Sequence, residues 1–492
     1  MKILMVYPET PDTFWGFKNA VKFISKKASE PPLGLITVAA MLPPDWEIKL
    51  IDMNVSPLKD NDIKWADYVF LSGMIVQYKS FKEVIKRCNV IGTKIIAGGP
   101  LATTEYKGIL GVDHFILNEA EITLPQFLTD LENGNPKFIY TTNEYPSINL
   151  TPIPRYELLE MKKYATMDIQ YSRGCPYDCE FCSITWLNGR KPRVKSTKQF
   201  LSELDYLYNL KWRGEIMIVD DNFIGNKRIL KNELLPSLIK WNREKKYPFK
   251  FITEASINLA DDKELSDMMI EAGFSTVFVG IETTNEDSLI ECGKKQNTRR
   301  SLNESIDKLH DSGFIVSGGF ILGFDNDTQN SFEQMINFIQ KTGIVTAMVG
   351  LLNAPSGTKL FNRLKSEKRI LENFTGNNMD GSINFIPIMP YQQLINGYVK
   401  VIKTIYAQEQ YYNRIKVFLK NYKLPNWHSN KISKTDLKAF LKLIWKLGLN
   451  ENGKIYFWKL VVVSLFKYPQ KFSLAMTLAV YGFHFRKIAA LL

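Results

Sequence analysis

Three of the five cysteines in this 492-residue chain, Cys175, Cys179 and Cys182, fall within eight residues, in the run Ser172-Arg173-Gly174-Cys175-Pro176-Tyr177-Asp178-Cys179-Glu180-Phe181-Cys182. A strand-like segment, Asp168 to Ser172, leads into the run, so the thiols are expected on a loop at a strand's carboxyl end. Thiolates at C-x3-C-x2-C spacing can wrap a cubane iron–sulfur cluster and hold three of its irons, leaving the fourth without a protein ligand. An electron-transfer site would want a fourth cysteine nearby, and a structural zinc site a fourth cysteine or histidine. The sequence offers neither: the nearest downstream histidine is His310, no second C-x-x-C occurs, and Cys88 and Cys292 stand alone. Five cysteines cannot make a disulfide framework, and Met1-Lys2-Ile3-Leu4-Met5-Val6 lacks the longer apolar stretch of a signal peptide, so a reducing cytoplasm is expected.

At about 150 residues per domain the length suggests three domains. With 45% apolar and 23% charged residues and a mean hydropathy of -0.16, the composition argues against disorder and against a polytopic membrane protein. Residues 1–135 alternate strand-like runs (Lys2–Tyr7, Glu47–Ile51, Tyr68–Leu71, Lys94–Ala97) with helical ones (Leu33–Met41, Ser80–Ile91, Leu124–Leu131). That is a doubly wound α/β, Rossmann-like pattern, whose ligands bind at the carboxyl ends of the strands. The loops Tyr7 to Phe14, Ser72 to Gln77, Gly98 to Pro100 and Asn118 to Glu121 are therefore the ones to inspect. Residues 136–163 read as a linker. Over 164–355, candidate strands Asp168–Ser172, Glu215–Val219, Phe249–Glu254, Thr276–Ile281, Ile315–Leu322 and Val345–Leu352 are too few for a closed eight-stranded barrel and fit a partial (β/α)6 barrel.

Residues 356–492 turn helical, aromatic and basic, and the chain carries a net charge of +12. Two readings stay open for this tail: a helical cap packed on the barrel, or an amphipathic surface lying on an anionic membrane.

The cysteine run, with aromatic Phe181 before its last cysteine, resembles the CxxxCxxC motif of the radical S-adenosylmethionine (SAM) superfamily. The resemblance implies that SAM chelates the open iron. It places Asp220, Asp221 and Asn222, after the second barrel strand, near the SAM amine. Glu254, Ser256 and Glu282, after the next two strands, fall where ribose and carboxylate contacts lie. Gly319 and Ile321 belong to Gly319-Phe320-Ile321-Leu322-Gly323, which is similar to the family's adenine-packing GxIxG; the acid that follows is Asp327 where the family has Glu.

A doubly wound domain ahead of such a barrel resembles the cobalamin-binding domain of the B12-dependent branch, with similar segments at Pro31 to Leu35, Trp65 to Val69, Ala97 to Pro100 and Asn118 to Glu121. Cobalamin contacts are implied at Gly73, Gln77, Gly98, Gly99 and Glu119. No D-x-H-x-x-G occurs and the one histidine here is His114, so the cobalt is expected base-off, its lower face near Gly73 to Gln77. Absence of G-x-G-x-x-G disfavours NAD. Farther on, Leu352 to Leu360, Asn384 to Pro390 and Tyr411 to Arg414 are similar to a subgroup that includes the hopanoid C-2 methylases.

The resemblance implies a [4Fe-4S] cluster, SAM and cobalamin as cofactors, and methyl transfer from SAM through methylcobalamin to an unactivated carbon of a small apolar substrate, a hopanoid-like or other membrane lipid. A flavodoxin- or ferredoxin-type electron donor and a peripheral contact with the inner membrane face through the C-terminal domain go with it. No side chain is singled out as catalytic. The alternative is a B12-dependent enzyme that forms or rearranges a ring, told apart by product mass. A methylthiotransferase would need three more cysteines in the N-terminal domain, a cofactor-binding sensor would need an effector domain, and no nucleic-acid-binding motif is present.

Overall fold

Ile3, Leu4, Met5 and Val6 are all fully buried, as the unbroken apolar run of a strand covered on both faces must be. This strand, β1 (Lys2–Tyr7), lies inside a parallel sheet with β2 (Glu47–Asp52), β3 (Tyr68–Ser72), β4 (Lys94–Gly98), β5 (His114–Ile116) and β6 (Ile139–Tyr140), ordered β2-β1-β3-β4-β5-β6. The chain leaves β1 in one direction and returns to β3 on its other side, so the switch point of the winding lies between the carboxyl ends of β1 and β3. The computed structural model describes all residues except 372–374, 378–379 and 428–433.

Two strands of this sheet escape the sequence reading. β5 and β6 have three and two residues, too short to show a period. β6 also corrects the expected linker 136–163, whose first part pairs with β5 and belongs to the first domain.

Six strands form in the second series, β7 (Thr166–Ile169), β10 (Gly214–Ile218), β11 (Phe249–Glu254), β12 (Phe274–Glu282), β13 (Ile315–Leu322) and β14 (Thr346–Leu351), parallel and paired in chain order; the first is displaced and shares only Asp168 and Ile169 with the expected Asp168–Ser172. Pairing in chain order is barrel winding, and the sheet stays open because β7 and β14 are its two ends. Between β7 and β10, the short antiparallel pair β8 (Ser172–Arg173) and β9 (Arg193–Val194) pins the base of the cysteine loop.

The free edge of β7 is covered from the first domain. Lys27 N donates to Lys163 O at 2.8 Å, Ala165 N to Ala28 O at 3.0 Å and Thr166 N to Ser29 O at 2.9 Å. Backbone bonds thus join the two domains where an exposed edge would otherwise invite foreign pairing.

The C-terminal residues form helices packed on the barrel. Fully buried Arg414 donates to Gln340 Oε1, Ile405 O and Val345 O, and the helix Phe472–Ala489 reaches the first domain through His484 Nε2 and Phe14 O, 3.0 Å apart. The cap reading of the tail is therefore met. Among the described residues no helix is long and apolar enough to cross a membrane.

Candidate active site between the two sheets

The cysteine loop is held by backbone bonds and by acids at the ends of neighbouring strands. Cys175 N donates to Gly189 O at 3.2 Å and Glu180 N to Cys292 O at 2.8 Å, which gives the otherwise isolated Cys292 a place in the scaffold. Gly174 has φ +99 and is wrapped by the carbonyls of Asn188, Gly189 and Lys191, each 3.0 Å from where a Cβ would sit. Its N donates to Asp221 Oδ2 at 2.7 Å. The three thiols sense one another: burial raises each above the ordinary thiol range, and the Cys175 and Cys182 thiols are raised further by Cys179. Three cysteines of one loop, brought into mutual electrostatic range, are a donor set suited to a cubane. Among the described residues no three Cys, His, Asp or Glu side chains converge on a single ion.

The polar residues after β10 and β11 form a connected network. Asp220 accepts from Tyr171 N and Ser172 N, both at 2.8 Å, and from Ser172 Oγ at 2.6 Å, so both its oxygens are spent on fixing the strand that feeds the loop. Burial pushes it up to about 7 despite these donors. Asp221 is occupied by Gly174 N and Asn188 Nδ2. Asn222 bonds Ser256, whose Oγ donates to Asn258 Oδ1 at 2.6 Å; Asn258 Nδ2 in turn donates to the Tyr177 hydroxyl in the cysteine loop at 2.9 Å. Of the expected triplet, Asp220 and Asp221 therefore organise the loop, and Asn222 and Ser256 lie on a path leading to it.

Glu282 sits at φ +65, where the β12–β13 register shifts. A glutamate held in left-handed backbone is a strained conformation of the kind that gathers at functional sites. Lys294 Nζ donates to its Oε1 at 2.6 Å; burial disfavours this ammonium, yet Glu282, Cys179 and Cys182 hold it protonated above its ordinary range. Lys294 has no sequence signal and becomes visible only here. A Cβ at Gly280 would lie 2.3 Å from Glu282 Oε1 and 2.7 Å from Lys294 Nζ, so a side chain there would displace this ion pair. Glu254 is pushed up to about 8, first by burial and then by Asp221 and Glu30. Gly319 lies under Phe278, whose ring would be 2.7 Å from an added Cβ, Ile321, like Phe181, packs against an apolar cluster that includes Phe324, and Asp327 closes the following turn by accepting from Gly323 N at 2.8 Å and Phe324 N at 3.1 Å.

On the first sheet, buried Gln77 spans the switch point: its Nε2 donates to Pro8 O at 2.6 Å and its Oε1 accepts from Met74 N at 2.7 Å. An added Cβ would lie 3.2 Å from Gln77 Oε1 at Gly73, 2.9 Å from Ile116 O at Gly98 and, at Gly99 with φ +82, 2.2 Å from Ser72 Oγ. At each of these three glycines a Cβ would meet the protein's own atoms, so they let the strand ends pack closely and form a glycine cradle at the switch point. His114 is tied by Nδ1 to Lys137 O at 2.8 Å.

Glu119 is placed differently from expectation. Expected as a cobalamin contact, it gives both oxygens to arginines of the second domain: Arg193 Nη2 at 2.6 Å and Nη1 at 2.9 Å, with Arg173 Nη1 on the same Oε2. Glu121 pairs with Arg173, which overrides burial and holds its carboxyl below the usual range. The cluster is a clamp beside the cysteine loop rather than a free ligand site. Arg173 lies inside the cysteine run and could have been suspected; Arg193 could not.

Two further groups meet between the sheets. Glu30 keeps solvent contact, yet the protein packed around it pushes its carboxyl up to about 7. Its charge reaches Asp168 on β7, raised by burial and by Glu30, whose Oδ1 is buried without a hydrogen-bond partner. Cobalamin carries a rim of primary amides; acids held neutral by burial can donate to the amide carbonyls and accept from the amide N–H groups, so Glu30, Asp168 and the glycine cradle fit that group. Trp15, on the loop leaving β1, sets its ring 4.9 Å from that of Phe278 on β12, joining the cradle side to the cysteine side.

The B12 binding domain model matches residues 23–128, the Radical SAM superfamily model residues 169–339, and a domain of unknown function, DUF4070, residues 358–492. The chain is 43% identical to an uncharacterized methyltransferase of Synechocystis sp., over 99% of this chain and 91% of that one. It is 31% identical to the hopanoid C-2 methylase of Rhodopseudomonas palustris, over 95% of this chain and 90% of that one. Among solved structures, the cobalamin-dependent S-adenosylmethionine radical enzyme OxsB, with aqua-cobalamin and S-adenosylmethionine bound, shares the fold at a TM-score of 0.57 and 16% identity, over 100% of this chain and 80% of that one.

Proposed function

The chain belongs to the cobalamin-dependent radical SAM methyltransferases, and from that premise we propose that it methylates an unactivated carbon of an apolar, hopanoid-like membrane lipid. Its cofactors are a [4Fe-4S] cluster, SAM and cobalamin. When bound, the cluster with SAM supplies the radical chemistry that opens a C–H bond, and cobalamin supplies the methyl group; the protein positions and shields. In our reading Cys175, Cys179 and Cys182 hold the cluster. Asn222, Ser256, Glu254, Glu282, Gly319 and Ile321 surround SAM, and Gly73, Gln77, Gly98 and Gly99 cradle cobalamin. Asp220, Asp221 and Lys294 keep the cysteine loop and Glu282 in register.

The observation that carries the substrate reading is the Trp15–Phe278 contact. An aromatic pair between the two cofactor ends, its rings tilted 57° to each other and Trp15 still 49% exposed, offers an angled apolar surface to a ring system and excludes water from it. Cys179 and Cys182 also line a cavity of about 240 Å3 with Arg190, Lys359 and Asp178, on which both cations pair; the one positive charge left over suits an acidic flavodoxin- or ferredoxin-type electron donor.

The test is an anaerobic incubation of reconstituted protein, cobalamin, reductant and methyl-deuterated SAM with membrane lipids, read by mass spectrometry. A labelled methyl on a lipid together with 5'-deoxyadenosine is the expected result. Formation of 5'-deoxyadenosine without labelled lipid would overturn the lipid substrate, and a product lighter by hydrogens would instead favour the ring-forming chemistry.

A further inference from the structure

The helix Lys434–Leu443 runs on through a π-helical segment, Ile444–Leu449, and a turn at Gly453 leads into the helix Lys454–Lys467. Leu443, Leu447, Phe457 and Leu460 face the core and are buried, so both helices have their packing face satisfied. Each then carries a second apolar stripe outward. Leu437, Leu441, Trp445 and Leu449 recur every fourth residue and are all exposed, Trp445 at 63%. Ile455, Val462 and Phe466, seven and four residues apart, line one face of the second helix and are exposed, Phe466 at 80%. The stripes belong to one surface because Trp458 Nε1 donates to Gly448 O at 3.0 Å and fastens the helices together.

Charge selects what covers this face. Residues 434–471 contain eight lysines and two acids, and one of those acids, Glu451, is consumed by Arg486 at 2.9 Å. Lys438, Lys454, Lys459 and Lys467 are exposed around the stripes. Bulky apolar side chains, tryptophan among them, ringed by lysine on helices that do not span a bilayer are the pattern of an interfacial helix pair.

We propose that the outer face of residues 437–467 docks in the plane of an anionic bilayer, burying Trp445 and Phe466 at the headgroup boundary with the lysines on acidic headgroups. This deepens, and rests on, the reading that the substrate is a membrane lipid: the enzyme would draw it from the bilayer on which it sits.

The full chain is sedimented with sucrose-loaded vesicles of phosphatidylcholine alone or with one third phosphatidylglycerol. Binding is expected to the anionic vesicles, falling at least tenfold as salt rises from 0.05 to 0.5 M, because exposed charge pairs are screened. Trp445→Ser combined with Phe466→Ser, both exposed and outside the core, should lower binding at least tenfold while circular dichroism and iron content stay unchanged. A lysine set, Lys438→Glu, Lys459→Glu and Lys467→Glu, should abolish the preference for anionic lipid. A full chain left in the supernatant with anionic vesicles, or a double variant that binds like the wild type, overturns the proposal. So does a concentration-dependent dimer lost in the double variant, which would assign the face to a second copy. Vesicle binding without labelled lipid would overturn the substrate reading and leave the docking face standing; methylation of detergent-dispersed lipid without vesicle binding would do the reverse.

Discussion

Arg193 grips Glu119 with both arms of its guanidinium, Nη2 at 2.6 Å from Oε1 and Nη1 at 2.9 Å from Oε2. One residue comes from the barrel domain and the other from the N-terminus of the helix Ala120–Glu132 in the first domain. With Arg173 and Glu121, the grip fixes the distance between the glycine cradle and the cysteine loop. Both side chains are largely buried, Arg193 at 14% exposure and Glu119 at 5%. Glu119→Ala should therefore cost roughly 3 kcal/mol, because removing one member of a buried pair leaves the other uncompensated. Adding Arg193→Ala should cost less than the two singles summed. Thermal unfolding of the four proteins measures the coupling, and strictly additive losses would contradict a clamp.

The cysteine loop and the cradle stand on different sheets. Cys175→Ala, Cys179→Ala or Cys182→Ala should abolish SAM cleavage and iron–sulfur absorbance, while cobalamin binding stays within about twofold of wild type. Absorbance titration with cobalamin and assay of 5'-deoxyadenosine separate the two. Loss of both cofactors together would contradict the division of labour.

Gly99→Ala tests the cradle from the other side. Its φ of +82 would cost a side chain about 1–2 kcal/mol, and its Cβ would stand 2.2 Å from Ser72 Oγ, displacing that hydroxyl at the strand end beside Gly73. Cobalamin affinity should fall at least tenfold with the cluster content intact. Unchanged affinity would move the cobalamin site away from these glycines.

The barrel was legible because five of its six strands are runs of five or more mainly apolar or alternating residues, as in Phe249–Glu254 and Ile315–Leu322; the four-residue β7 was read shifted. Three-residue β5 and two-residue β6 carry no such period, and their pairing is decided by neighbours. At the site, residues named by local spacing, the three cysteines above all, were readable. Lys294 and Arg193 were not, since a salt bridge between distant segments leaves no pattern in either one; Trp15 lies in a segment similar to the hopanoid C-2 methylase subgroup, yet its contact with Phe278 has no sequence signal. Glu119 shows the converse: a residue flagged by its position after a strand, whose partner the sequence could not name.

His310, in the helix Leu302–Ser312, has no exposed surface, neither ring nitrogen has a hydrogen-bond partner, and its ring meets Phe418 edge-on at 5.2 Å. Burial alone pushes it down from 6.5 to about 4, so the folded protein keeps it neutral where the unfolded chain would take up a proton. Because the folded value is depressed, the contribution is whole above pH 6.5 and is lost as the pH falls towards 4. The difference between the two values amounts to about 3 kcal/mol, most of it gone by pH 4.5. His310→Leu should leave the stability at pH 7 equal or higher, since it removes two unsatisfied polar atoms. It should also flatten the decline below pH 6.5 by that amount. Urea unfolding of both proteins at pH 7 and pH 4.5 measures it: parallel losses in the two would show that the acid sensitivity resides elsewhere.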